Sequence, residues 1–140
     1  MIGTAVVAYL NTVSQITDIT STRIRLTRLI QGETRPAIRV THAGGLPDHT
    51  LDGAGGSAEA SVQIDCFAET DLAAAQLADK VRIAMQAISQ TTAASVLMLD
   101  CTPENGPRSI YYPPDDASDV ADYATSYDFQ ITFMQDTSFS

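Results

Sequence analysis

Hydrophobic and polar positions alternate along residues 57–68: Ala58, Ala60, Val62, Ile64, Cys66 and Ala68 fall on one side, and Ser57, Glu59, Ser61, Gln63 and Asp65 on the other. A period of two is that of a strand with one wet face. The period then changes. Ala74, Leu77, Val81, Ala84 and Ile88 recur at spacings of three and four and predict a helix over residues 71–89, with an apolar stripe able to lie on that strand's apolar face. Ile2, Val6, Tyr9, Leu10 and Val13 predict a first helix over residues 2–15, broken by turn-forming residues at 18–22.

From Arg23 the pattern alternates again, with Ile24, Leu26 and Ile30 against Arg23, Arg25 and Thr27, and residues 31–35 read as a turn. Pro36 can begin a strand but not sit centrally in one, so residues 37–42 are the second predicted strand. Residues 90–94 read as a polar connection and 96–99 as a short apolar strand. The run Thr102-Pro103-Glu104-Asn105-Gly106-Pro107 signals a turn, after which residues 109–112 resume extended structure. The last strand sets Tyr123, Thr125, Tyr127, Phe129, Ile131 and Phe133 against Ala124, Ser126, Asp128, Gln130 and Thr132. Two helices and about five strands joined by short links predict an α+β fold. Its core would be a single mainly antiparallel sheet with both helices packed on the apolar face.

Composition changes this picture little. A chain of 140 residues is expected to form one domain spanning 1–140, with a core large enough to need neither metal nor disulfide. Cys66 and Cys101 lack ligand spacing, and Cys66 faces the apolar side as a small hydrophobe, which makes a cytosolic setting the expectation. No stretch approaches the ~20 apolar residues of a membrane span, and no secretory leader is evident. The formal charge of −9 argues against broad nucleic-acid binding, which rests on clustered Lys and Arg. That charge is unevenly placed. Residues 23–39 hold Arg23, Arg25, Arg28, Arg35 and Arg39 against Glu33 alone, whereas residues 115–128 hold Asp115, Asp116, Asp119, Asp122 and Asp128 with no base.

The candidate chemistry is thin. His42, Asp48, His49 and Asp52 are types that bind zinc or iron, but their spacing matches no ligand motif, and the glycine-rich loop at 41–56 would hold them poorly. Solvated loop polars are the simpler reading. A Cys66 nucleophile would need an exposed, electropositive setting, and the alternation turns it inward. Gly53-Ala54-Gly55-Gly56 leads into a strand, whereas a phosphate cradle leads into a helix N-terminus. No catalytic residue, metal or cofactor is expected.

The order of an N-terminal helix, Arg23-Ile24, a Pro36-led strand, Leu51-Asp52-Gly53, the strand Val62-Gln63-Ile64-Asp65-Cys66-Phe67-Ala68, an alanine-rich helix over 73–87 and the aromatic strand 123–133 resembles the tail-terminator, or tail-completion, proteins of long-tailed phages with flexible tails. The likeness covers nearly the whole chain through patterns of residue type. The acidic Asp115-Asp116-Ala117-Ser118-Asp119 run departs from it. The resemblance implies a structural virion protein without catalytic residues. It would assemble in the host cytoplasm as a homo-hexameric ring that caps the major tail-tube protein and joins it, at the neck, to the head-tail connector or stopper protein. DNA would pass through the pore without specific binding.

Two further expectations follow from the residues. A ring needs two unlike patches, and the segments carrying Arg23, Arg25, Arg28, Arg35 and Arg39 and Asp115, Asp116, Asp119 and Asp122 are candidates to pair between subunits. The loop bearing His42, Leu46, Asp48, His49, Leu51 and Asp52 is the candidate contact to the tube or connector, since glycine keeps a segment mobile until a partner orders it. The alternatives are another neck protein, such as a head-completion or stopper subunit, and a small ligand-binding or enzymatic α+β domain using residues 42–52.

Overall fold

The computed structural model describes residues 2–21, 23–27, 36–42, 57–94, 96–112 and 122–135. In chain order the elements are α1 (Ile2–Leu10), α2 (Ser14–Thr20), β1 (Ile24–Leu26), β2 (Ala37–His42), β3 (Ser57–Ala68), α3 (Asp71–Gln86), β4 (Ser89–Ala93), β5 (Val96–Tyr112) and β6 (Asp122–Gln135). The fold is α+β, as expected, with three helices and six strands among the described residues where two and about five are predicted.

The strands form one sheet in the order β1-β2-β3-β6-β5-β4. Its β1–β2 pair is parallel and every other pair antiparallel. β3 and β6 pair over their whole length, from Ser57 opposite Met134 to Ala68 opposite Tyr123, which puts the two clearest alternating segments side by side in the centre. Their apolar sides, including Val62, Ile64, Cys66, Phe129, Ile131 and Phe133, form the core with Leu77, Val81 and Met85 of α3. α3 opens on Thr70, whose side chain accepts a hydrogen bond from the Ala73 N–H at 3.1 Å, while Asp71 adds a negative charge to the first turn. α1 touches β1 and β2 at one side of the sheet and β4 at the other. One short helix can reach both margins only because the sheet curls around it.

Four local expectations are corrected. The first helix is two: the amide of Asn11 donates to the Val7 carbonyl at 3.1 Å and the Thr12 hydroxyl to the Tyr9 carbonyl at 2.6 Å, closing α1 before Val13 turns extended. The helix predicted to residue 89 ends at Gln86. The polar connection at 90–94 is largely β4, which has no apolar alternation and is a strand because β5 supplies its ladder. The turn at 102–107 is instead the middle of the 17-residue β5, whose register against β6 shifts at Met98/Asp100, Pro103/Asn105 and Asn105/Arg108. β4 pairs only with residues 96–100, so Pro103 and Pro107 lie where no outer strand needs their missing N–H groups.

Candidate interaction surface

The side of the sheet away from the core follows from the register. Arg25 stands opposite Arg39, Arg39 opposite Asp65, Asp65 opposite Ser126 and Ser126 opposite Arg108, a polar row across five strands. Toward the other end of the strands, Glu59 is opposite Thr132 and Thr132 opposite Asp100. One end of this face is therefore rich in arginine and the other in carboxylates.

Asp65 is the centre of the arginine end. It is predicted on a wet face, yet its side chain is only 1% exposed. A buried carboxylate requires compensation, and here both oxygens receive it. Arg39 donates Nε and Nη2 to Oδ2 at 2.9 and 2.7 Å, while Gln63 Nε2 donates to Oδ1 at 2.9 Å and the Ser126 hydroxyl donates to the same oxygen. The Arg39 guanidinium also lies 5.1 Å from the centroid of Phe67, where a cation is attracted by the ring's electron-rich face. Beside this cluster Arg108 grips Asp128 through two bonds of 3.1 Å, a pair far more open to solvent, with side chains 40% and 18% exposed. The hydrogen bond to Asp128 raises the Arg108 pKa further. At the acidic end the partners are neutral: Ser61 donates to Glu104 at 2.7 Å and Gln130 to Glu59 at 2.8 Å.

Of the candidate interface residues, Arg23 donates to the backbone carbonyls of Pro36 and Ile19 at 3.0 and 3.2 Å, and Arg39 is committed to Asp65. Arg25 lies on β1, and Asp122 opens β6 opposite Tyr112. Arg28, Arg35, Asp115, Asp116 and Asp119 lie outside the described residues. So do Leu46, Asp48, His49, Leu51 and Asp52, while His42 ends β2. Asp65 is the charged partner that sequence reasoning left out, and Asp128, the last member of the acidic 115–128 segment, is bound by Arg108 within the chain. Phe67 is the signal that could have found Asp65: a buried aromatic on the nominally wet side marks where that side becomes covered.

Both thiols are poor nucleophiles. Burial, reinforced by the charge of Asp100, pushes the Cys101 pKa up to about 12, and burial with Asp65 nearby pushes Cys66 higher still. Among the described residues no three His, Cys, Asp or Glu side chains gather as a metal site, and no helix is long and apolar enough to cross a membrane.

A family model described as tail completion protein gp17 matches residues 4–104. This places the chain among structural proteins of the phage tail. It belongs to the tail completion protein gp17 family. The match stops within β5, so β6, the strand that joins the two halves of the sheet, lies beyond it. No curated protein sequence matches. A solved chain from "Virion of native gene transfer agent (GTA) particle" has a similar fold, with a TM-score of 0.62 at 14% identity, covering 92% of this chain and 91% of that one. A second solved chain, at a TM-score of 0.46 and 8% identity over 86% of this chain and 87% of its own, is too distant to bear on the fold.

Proposed function

We propose that the protein is a single-domain subunit of a homo-hexameric ring that caps the tail tube and joins it to the head connector or stopper protein at the neck. Membership of a tail completion family supports the setting. The observation that carries the ring reading is the uneven charge along the chain, with arginines clustered at 23–39 and aspartates at 115–128. The arginine-rich residues 23–39 include β1 and the link to β2, and the acidic residues 115–122 link β5 to β6, with β2, β3 and β6 lying between β1 and β5. A head-to-tail contact joins two different patches and closes when its rotation divides a circle.

In this reading Arg25, Arg28 and Arg35 of one subunit meet Asp115, Asp116, Asp119 and Asp122 of the next, with Arg23 and Arg39 holding their own segment in shape. The net charge of −9 suits a pore that DNA crosses without sticking. The loop at 41–56 contacts the tube or connector. The test is charge reversal read on particles. Arg35→Glu and Asp116→Arg should each leave unjoined heads and tails in electron micrographs, and the double variant should restore joining. Two silent single reversals, or a double variant no better than either single, would remove the pairing.

A further inference from the structure

At the level of the Arg25–Arg39–Asp65–Ser126–Arg108 row the sheet is five strands wide, because β4 pairs only with residues 96–100 of β5. Among the described residues, its margins there are β1 and the last stretch of β5. The two margins are built differently from ordinary guarded edges. The β5 edge is blunted by bulges and prolines as far as residue 107, after which residues 108–112 pair regularly with β6, and a regular edge that no described strand covers is a template for another strand. On β1, the Arg23 carbonyl accepts from the Ile38 N–H at 2.9 Å and the Thr27 N–H donates to the Val40 carbonyl at 2.7 Å. The odd-numbered residues thus face β2, and alternation turns the backbone groups of Ile24 and Leu26 outward.

We infer that residues 108–112 of β5 receive the β1 strand of a second copy of this chain, continuing the sheet from subunit to subunit. Three features fit that occupant. Strand directions along the order β1-β2-β3-β6-β5 make β5 antiparallel to β1, so a copy set alongside without inversion offers the more stable antiparallel pairing. Leu26 and Tyr111 are among the few large apolar side chains left exposed, at 40% and 53%, and both belong to the helix-bearing side of the sheet, Leu26 opposite Val40 and Tyr111 opposite Tyr123. Set with Leu26 opposite Ser109 or Tyr111, the two become diagonal or direct neighbours and shed water together. Finally, β1 is three residues long, so the regular stretch 108–112 spans it in full.

The inference rests on the ring reading but can fail separately from it. Leu26→Cys is combined in turn with Ser109→Cys and with Tyr111→Cys, the two same-side positions of the β5 edge, and copies are incorporated into particles and mildly oxidised. One combination should give a ladder of disulfide-linked copies on a non-reducing gel, absent from each single variant, because directly opposed strand positions fall within disulfide reach. If particles contain a multi-copy ring, yet neither combination cross-links, the strand pairing is wrong and the ring stands. If native mass measurement of the particle component finds no multi-copy assembly, both readings fall.

Discussion

Asp65 and Asp128 hold similar bidentate or near-bidentate arginine partners, and burial sets them apart. Asp65 is 1% exposed and its ring of donors is complete, so removing Arg39 leaves a desolvated charge without compensation. The Arg39→Ala variant should lower the free energy of unfolding by about 3 kcal/mol, the scale of breaking a buried pair. Arg108→Ala should lose less than about 1 kcal/mol, because water replaces much of what is removed. Urea unfolding of the two variants checks the contrast, and equal losses would contradict it. Neither pair could be read from residue type. The arginines were visible as a run, but the acid that meets Arg39 lies 26 positions away on another strand, and only the β2–β3 register makes them neighbours.

Strands are where pattern and fold diverge most. β3 and β6 were legible because alternation over a long segment leaves few other ways to bury one face. β4 was not, having little apolar side chain to bury. β5 carries strong turn residues and is still a strand, since pairing along uninterrupted β6 absorbs the irregularity as bulges. Gly106 makes this possible: its φ of +113° suits glycine, and a Cβ there would lie 2.7 Å from the Ser126 carbonyl oxygen and 3.0 Å from Tyr127 Cδ1. Gly106→Ala should therefore destabilise the protein by about 1–3 kcal/mol, measured as a lower urea midpoint. An unchanged midpoint would mean that the bulge relaxes without cost.

Across the whole molecule, the two thiols link stability to pH in the alkaline range. Their ordinary value is 9.0, and folding raises Cys101 to about 12 and Cys66 beyond it. Above pH 9 the folded state thus keeps protons that the unfolded chain has released, and stability must fall as pH rises; below about 9 the thiols exert no such pull. Between about pH 9 and 11 the urea midpoint of the protein should drop more steeply than that of a Cys66→Ala, Cys101→Ala variant; parallel curves would show the thiols uncoupled from folding. The same burial that shifts these groups also excludes them as exposed nucleophiles. By itself the amino-acid sequence determined the α+β class, the β3–α3 unit, the aromatic β6 and the uneven charge, because periodicity and composition act locally. Only tertiary structure decided that Asp65 is buried against Arg39, that a turn-like run becomes a bulged strand, and that β1 and β5 form the margins of the arginine row, because each depends on which distant strand supplies hydrogen bonds and cover.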